Sequence, residues 1–166
     1  MEELATLLKY DPLTGSLKWL HRGNPYFDSR FEGKEAGNRR VNRDGHKSVQ
    51  LTYKRVSVQA NKLIWFIMTG EVPTFEVDHI NGDGWDNRWI NLRKSTASQN
   101  SYNRKRKSNN TSGFKGVATL KSGRFRATIT VDKKVISLGC YSTPEEAHEA
   151  YKQAAIKYHG EFANFG

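Results

Sequence analysis

The chain has 166 residues, enough for one domain or two small ones. Only 36% of its residues are hydrophobic, its formal net charge is +10 and its pI is near 9.8, a balance that favours a polyanionic partner, either nucleic acid or an anionic membrane surface. No apolar run approaches the ~20 residues that span a bilayer, the acidic start MEELATLLKY lacks the basic region of a secretory signal, and the single cysteine, Cys140, excludes an internal disulfide and a cysteine-rich zinc site and favours a reducing, cytosolic setting.

The first sixty residues predict β structure. GSLKWL, HKSVQLTY and KRVSVQA alternate apolar and polar residues, and DPLTG predicts a turn. ANKLIWFIMTG is too densely apolar for an alternating strand, so we expect a short buried helix that ends at Gly70. His21 and His46 have no acidic partner at ligand spacing in the sequence, and we assign neither of them to catalysis.

Residues 75–105 predict a strand, a turn, a return strand and a helix. FEVDHI is the first strand, NGDGWDN the turn cluster and INLRKS the second strand. TASQNSYNRK predicts a helix with Ser95 or Thr96 as its N-cap. This segment combines one histidine with several asparagines.

The chemistry that suits such a segment is phosphodiester hydrolysis. A base must take a proton from water, a cation must neutralise charge on the phosphate and the leaving oxygen, and rigid groups must hold both in line. Histidine suits the base because its pKa lies near neutral pH. Asparagine can ligate a metal through its carbonyl oxygen or hold loop backbone with its amide.

The string VDHINGDGWDNRWINLR, followed by ASQN, resembles the HNH nuclease family, whose core is a ββα-metal motif. The resemblance implies that His79 is the general base, that Asp78 and Asn100 bind one Mg²⁺, Mn²⁺ or other divalent cation per active site, and that Asn91 braces the loop and orients the histidine. The family often carries a histidine before the preceding apolar run, where this chain has Asn61, and the role of that position is open. The resemblance points to a homing-type enzyme borne by a phage or another mobile element, acting in the cytoplasm of its host.

Other polar residues of the motif have two interpretations. Asp83, Asp86 and Asn87 are interpreted as loop-structuring residues rather than ligands. Arg88 and Arg93 are candidates for phosphate contact or solvated charges. Asn103 lies one turn after Asn100 and contacts a phosphate, serves as a cap or is simply exposed.

RKRKSNNTSG, at residues 104–113, contains four consecutive basic residues and no apolar residue. Such a stretch cannot pack a core and is typical of a linker. It is either a solvated spacer or a basic arm on DNA phosphates. The net charge favours the arm, which consists of Arg104, Lys105, Arg106 and Lys107.

The last third predicts three strands and a helix. FKGVATL, GRFRATITVD and KVISLGCYS are the strands. TPEEAHEAYKQAAIKYHG is the helix, with Thr143 as N-cap, Pro144 at the first helical position and Gly160 at its end. Its packing face is predicted to comprise Ala147, Ala150, Tyr151, Ala154 and Tyr158. We interpret His148 and His159 as surface or packing residues without a catalytic role.

These elements resemble the plant Apetala/ethylene-response-factor DNA-binding domain. The resemblance is carried by FKGV at 114–117, GRFRATI at 123–129, SLGCY at 137–141, EEA at 145–147, AY at 150–151 and ANF at 163–165. It implies that the exposed sheet face lies in the DNA major groove. Two first-strand positions that usually carry Arg in the plant domain are Ala118 and Leu120 here, so its target sequence cannot be transferred.

In the second strand of this domain, Phe125, Ala127, Ile129 and Val131 should face the helix. The opposite face then contacts DNA or is an ordinary solvated surface. The residues we expect on DNA here are Lys115, Lys121, Arg124, Arg126 and Thr128, in addition to the basic arm, Arg93 and Asn103.

The sequence thus predicts an α+β chain. We expect a nuclease domain at 1–103, β-rich over 1–60 with its ββα-metal motif at 75–103, a linker at 104–113 and a DNA-binding domain at 114–166. The predicted activity is site-selective, metal-dependent cleavage of double-stranded DNA. We expect no membrane partner. A monomer would nick one strand, and a dimer would cut both strands. The alternatives are a DNA-binding regulator that does not cleave, or an RNA-binding or anionic-membrane protein, which would explain the charge but not the motif.

Overall fold

The computed structural model describes residues 1–43, 45–106 and 110–166. Its contacts divide the chain into two compact units, Met1–Lys94 and Ser95–Gly166, which we describe one at a time. Both combine short antiparallel strands with helices, which confirms the α+β prediction. Within the described ranges, each helix is too short or too polar to cross a membrane.

The N-terminal unit contains three helices and three small sheets around one core. Its helices are α1 (Glu2–Ala5), α2 (Pro25–Phe31) and α3 (Ala60–Thr69), and its strands are β1 (Leu8–Asp11), β2 (Ser16–Trp19), β3 (Asn38–Val41), β4 (Lys47–Tyr53), β5 (Val56–Gln59), β6 (Glu76–His79) and β7 (Leu92–Ser95). β1 pairs with β2, β4 lies between β3 and β5, and β6 pairs with β7.

The core of this unit is formed where α3 packs on the strands. Leu63 and Ile64 of α3 are fully buried, and Leu51 of β4 is 1% exposed. α3 is the helix that the sequence predicts, and it ends at Gly70, whose φ of 73° is the left-handed conformation that glycine adopts without steric cost. Since α3 also contacts β6, this core supports the strand that carries Asp78 and His79.

Four elements of the N-terminal unit were not predicted: α1, β1, α2 and β3. α2 is a seven-residue helix in which Pro25 occupies the first turn and the Asn24 side chain accepts a hydrogen bond from the backbone N–H of Phe27 at 3.1 Å. β3 is exposed at all four residues, so it shows no alternation of apolar and polar side chains. Short elements without a clear hydrophobic period escape pattern analysis for this reason.

The C-terminal unit contains a three-stranded antiparallel sheet and a long helix, as predicted. Its elements are α4 (Ala97–Tyr102), β8 (Val117–Thr119), β9 (Phe125–Val131), β10 (Lys134–Tyr141) and α5 (Pro144–His159), and β9 is the central strand. Thr143 caps α5 through its side chain, which accepts from the backbone N–H of Glu146, and Pro144 occupies the first turn. Thr96 caps α4 in the same way.

The packing face of α5 differs from the predicted one at its C-terminal end. Ala147, Tyr151 and Ala154 are buried as expected, but Tyr158 is 42% exposed and the prediction for it was wrong. Ala155 and His159 are buried instead. Ala147, Tyr151, Ala155 and His159 are each four residues apart, so the buried stripe follows this spacing and leaves Tyr158 beyond its edge.

His159 is held in a specific neutral form by its surroundings. Its Nε2 lies 2.8 Å from the carbonyl oxygen of Thr130 and therefore carries the proton that it donates. Its ring stacks on Tyr102, with ring centroids 3.8 Å apart. Its Nδ1 is buried without a hydrogen-bond partner among the described residues. Burial lowers the pKa of His159, because a charged ring would bury a second N–H without an acceptor.

Residues on both sides of the predicted linker pack within the C-terminal unit. The ammonium of Lys115 donates to the carbonyl oxygens of Tyr102 and Arg104, at 2.8 and 2.5 Å. The side chain of Asn110 donates to the carbonyl oxygens of Phe114 and Val117. The unit boundary after Lys94 therefore differs from the domain boundary that the sequence suggests after residue 103, because α4 groups with the C-terminal sheet.

Candidate active site on β6, β7 and the intervening loop

In the loop between β6 and β7, side-chain oxygens accept hydrogen bonds from backbone N–H groups. Asn81 Oδ1 accepts from the backbone N–H of Asp83 at 2.8 Å, and Asp83 Oδ1 accepts from that of Trp85 at 3.2 Å. Asn and Asp favour such turns because their short side chains reach the backbone two residues on. This confirms the loop-structuring interpretation of Asp83 and gives the loop a defined shape.

Asn91 braces this loop, as the family resemblance implies. It is 6% exposed, and its Oδ1 accepts from the backbone N–H of Asn81 at 3.0 Å. Its Nδ2 donates to the Asn81 side-chain oxygen at 3.1 Å and to the carbonyl oxygen of Asp86 at 2.7 Å. The side-chain amide of Asn91 therefore links Asn81, near the start of the loop, to Asp86, farther along it.

His79 is oriented by Asn87, for which the sequence indicated only a role in structuring the loop. Its Nε2 lies 3.0 Å from Oδ1 of Asn87, which is 4% exposed. An amide oxygen only accepts, so Nε2 carries the proton and Nδ1 is the basic nitrogen of the neutral ring. The signal that could have identified Asn87 is its place within DNRWIN, where one Asn braces the loop and a second can face the imidazole.

The electrostatics of His79 favour its neutral, basic form. Burial lowers the pKa of the imidazole, against the hydrogen bond with Asn87 and the nearby Asp78, which raise it. Asp86 stays ionised in the same loop, since the guanidinium of Arg88 beside it lowers the pKa of that carboxyl to about 2. Arg88 is thus paired with Asp86 and is exposed on its other side.

Asp78 lies next to His79 in β6 and is buried, at 5% exposure. Its Oδ2 accepts from Nε of Arg93 at 2.9 Å and lies 2.9 Å from Nη2 of the same guanidinium. This buried ion pair restrains the carboxylate, because a charge-assisted hydrogen bond holds Oδ2 toward the guanidinium. Arg93, predicted as a DNA contact, therefore has the Asp78 carboxylate as a partner, and its side chain is only 12% exposed.

Asn61 acquires a structural role that the sequence left open. It lies in the first turn of α3, where its Nδ2 donates to the carbonyl oxygen of Val77 at 2.7 Å. Its Oδ1 accepts from the backbone N–H of Lys62 at 2.9 Å. Asn61 thereby ties α3 to β6 at the residue immediately before Asp78.

Two contacts with the backbone of the loop, from β1 and β4, hold the loop in place. Tyr10 of β1 donates its hydroxyl hydrogen to the carbonyl oxygen of Asn87 at 2.7 Å. A side chain at Gly84 would place its first carbon 1.8 Å from the carbonyl oxygen of Lys47, so only glycine permits the loop to approach β4 this closely. The N-terminal strands therefore hold the segment that contains Asn87.

The remaining predicted site residues lie in the C-terminal unit. Asn100 lies in α4 and is half-buried, and its pairing with Asp78 stays a prediction because the two residues belong to different compact units. Asn103 is 4% exposed, and the Asn164 side chain donates to its carbonyl oxygen at 2.9 Å. This burial favours a capping role over phosphate contact.

The predicted DNA-contact residues of the C-terminal unit differ in accessibility. Lys115 is half-buried by its two carbonyl partners, and Thr128 is half-buried in β9. Lys107 lies outside the described residues. The exposed members are Arg104, Lys105, Arg106, Lys121, Arg124 and Arg126.

A donor set of carboxylate and amide oxygens fits a hard divalent cation such as Mg²⁺. Asp78 supplies a restrained, buried carboxylate for such a centre. His79 would then lie beside the ligand as a base rather than as a ligand, since its Nε2 is already engaged with Asn87. The arrangement suits activation of water next to a metal-bound phosphate.

Comparison with known proteins agrees with this chemistry. The family model described as HNH endonuclease matches residues 58–102, which include α3, β6, the loop and β7. A mimivirus protein from Acanthamoeba polyphaga mimivirus, named uncharacterized HNH endonuclease L560, is 29% identical over 121 residues, or 72% of this chain. The aligned region spans 63% of that relative's length.

Two further similarities extend the comparison. Protein 3.8 of Escherichia phage T7 is 31% identical over 104 residues, covering 61% of this chain and 85% of the phage protein. Among solved structures, the HNH homing endonuclease I-HmuI, described for DNA binding and cleavage, covers 92% of this chain and 84% of its own at 16% identity, with a TM-score of 0.38.

Proposed function

Residues 58–102 match the HNH endonuclease family model, and from that premise we propose that the protein is a metal-dependent DNA endonuclease of the homing type. One observation carries the proposal. The imidazole of His79 is held at Nε2 by a buried amide, and the preceding residue of the strand, Asp78, has its carboxylate held by Arg93. A base and a ligand on adjacent residues of one strand suit phosphodiester hydrolysis.

His79 acts as the general base in this mechanism. Its Nδ1 takes a proton from the attacking water, whose oxygen forms the new bond to phosphorus while the bond to the 3′ oxygen breaks. The products are a 5′-phosphate and a 3′-hydroxyl, which gains a proton from solvent. Asn87 keeps Nε2 protonated, and Asn91 holds the loop that positions Asn87 relative to the ring.

Asp78 and Asn100 are the proposed ligands of one divalent cation. HNH nucleases generally use such an ion, and when bound it neutralises charge on the phosphate and the leaving oxygen. Arg93 restrains the Asp78 carboxylate, so the ligand is oriented before substrate arrives. Mg²⁺ or Mn²⁺ suits two oxygen ligands and open positions.

Double-stranded DNA is the proposed substrate. The net charge of +10 favours a polyanion, and the exposed basic side chains of the C-terminal sheet, including Arg124 and Arg126, suit phosphate or base contacts. We assign this unit to site preference on the basis of its resemblance to the plant DNA-binding domain. One active site per chain implies nicking by a monomer, and a dimer or two successive events for a double-strand cut.

A plasmid assay tests the proposal. Supercoiled DNA is incubated with the protein in Mg²⁺ or EDTA, and we expect nicked circles only with the metal. His79→Ala should abolish nicking but retain binding in a gel-shift assay, whereas the control variant Thr74→Ala, at an exposed residue, should retain both. Absence of nicking by the wild-type chain on its cognate DNA would favour the regulator without cleavage. Loss of binding in His79→Ala would assign His79 a structural role.

A further inference from the structure

A second cluster of ligand-type side chains lies in the N-terminal unit, outside the segment matched by the family model. His21 follows β2, and Asp28 and Glu32 follow four residues apart in α2 and at its C-cap. The spacing puts both carboxylates on one helix face. His21 Nδ1 lies 3.0 Å from Glu32 Oε2 and 3.4 Å from Asp28 Oδ2. The sequence-based statement that His21 has no acidic partner was therefore wrong, because the partners are brought close only when α2 folds back toward β2.

Asp28 distinguishes this cluster from an ordinary surface ion pair. Its side chain is only 7% exposed, and its Oδ1 accepts from the backbone N–H of Arg22 at 2.9 Å. That bond turns Oδ2 toward the imidazole. Oδ2 is itself buried and has no hydrogen bond within the described part of the chain, although the His21 ring lies at an ion-pair distance of 3.4 Å. A buried carboxylate oxygen that accepts no hydrogen bond is unfavourable, and a cation would satisfy it.

The donor atoms are spaced as a small divalent cation requires. Zn²⁺ binds imidazole nitrogen and carboxylate oxygen at about 2.0–2.2 Å, so tetrahedral ligand atoms lie about 3.4 Å apart. The three atoms lie within 4.8 Å of one another, and the two pairs that involve Nδ1 are at 3.0 and 3.4 Å. In the described residues, this is the one group of three His, Cys, Asp or Glu side chains that meets this spacing.

We propose that His21, Asp28 and Glu32 form a divalent transition-metal site, with Zn²⁺ as the expected ion and water as the fourth ligand. The mixed nitrogen and oxygen donors favour Zn²⁺ over Mg²⁺, which prefers oxygen alone. The ion would fasten α2 to the end of β2 and so stabilise the N-terminal unit. This site is separate from the Asp78 centre and does not depend on the proposed nuclease activity.

The cation must compete with a proton for Nδ1. The hydrogen bond with Glu32 and the charge of Asp28 raise the pKa of His21, since both stabilise the imidazolium. Binding experiments belong at about pH 8, above the ordinary range of histidine.

The test uses the full chain after removal of metal with EDTA. ZnCl₂ is titrated into the wild-type protein and into Asp78→Ala, with calorimetry for stoichiometry and thermal unfolding for stability. We expect one zinc to remain bound in Asp78→Ala, and a rise in its Tm of about 5 °C at saturating zinc. Asp28→Asn, Glu32→Gln and His21→Gln should each weaken this binding by about 100-fold or more.

The choice of variants keeps the test decisive. His21 and Glu32 have side chains that are 67% and 48% exposed, so their substitution leaves the core intact even if Asp28→Asn fails to fold. Glu35→Gln, at an exposed carboxylate three residues beyond Glu32, is the matched control and should bind zinc like the wild type. Equal zinc binding by Glu32→Gln, His21→Gln and the control would overturn the proposal, as would loss of all zinc binding in an Asp78→Ala protein whose thermal unfolding shows that it is folded.

Discussion

Replacement of Asn87 by alanine tests whether this residue acts on catalysis through His79. The substitution removes the acceptor that lies 3.0 Å from Nε2 and leaves the backbone carbonyl that accepts from Tyr10. Without that acceptor the proton is no longer held on Nε2, so the tautomer with its proton on Nδ1 becomes populated, and in that tautomer Nδ1 cannot take a proton from water. We therefore expect a lower rate of nicking with little change in DNA affinity.

The magnitude follows from the single bond that is lost. A hydrogen bond between neutral groups contributes about 0.5–1.5 kcal/mol, and 1.4 kcal/mol corresponds to about a factor of ten in rate. Asn87→Ala should therefore slow single-turnover nicking by about 2-fold to 12-fold. Loss of the general base itself costs about 10²–10⁴-fold, so His79→Ala should be much slower.

A double-mutant cycle provides the decisive assay. If Asn87 acts only through the ring, Asn87→Ala should cause no further loss in the His79→Ala background. Asn87→Asp retains an acceptor but stabilises the imidazolium, so its rate should approach the wild type only at higher pH. Equal rate losses from Asn87→Ala in both backgrounds would refute the positioning role and indicate a general effect on the fold, which thermal unfolding of each variant would reveal.

Three further predictions concern stability and binding. In the wild type, the pKa of His159 is lower in the folded state than in the unfolded state. Its contribution to the free energy of unfolding is therefore present above about pH 6.5 and is lost as the pH falls toward the folded-state pKa. His159→Gln should remove this loss of stability on acidification, which urea titrations at several pH values would measure. Gly84→Ala should lower the free energy of unfolding by about 1–3 kcal/mol, since its new methyl group would meet the Lys47 carbonyl oxygen. DNA affinity in gel shifts should fall steeply with added salt, because the release of counterions from DNA on binding becomes less favourable as the salt concentration rises.

Each of these outcomes can fail in a specific way. An unchanged acid dependence in His159→Gln would show that other groups control it. A wild-type midpoint in Gly84→Ala would mean that the loop moves away from β4 without cost, and the exposed substitution Thr74→Ala provides the reference, within about 0.5 kcal/mol of the wild type. Affinity that is insensitive to salt would contradict a phosphate-dominated DNA interface.

The strongly patterned elements could be predicted from the sequence. α3 follows from its dense apolar run and Gly70, and α5 follows from Thr143, Pro144 and its alanines, because caps and hydrophobic spacing are local properties. β6 and β9 follow from alternation. The short α2 and the fully exposed β3 could not be found in this way, since neither carries a hydrophobic period.

The sequence by itself determined the chemical groups of the candidate site: a lone histidine after an aspartate, a bracing asparagine and a basic chain. Only the tertiary structure assigned partners to them. Arg93 binds Asp78, Asn87 faces His79, and Asn61 holds the backbone before Asp78. The physical reason is that hydrogen bonds and ion pairs depend on distances of about 3 Å between atoms that folding brings together, and residue spacing along the chain does not fix those distances.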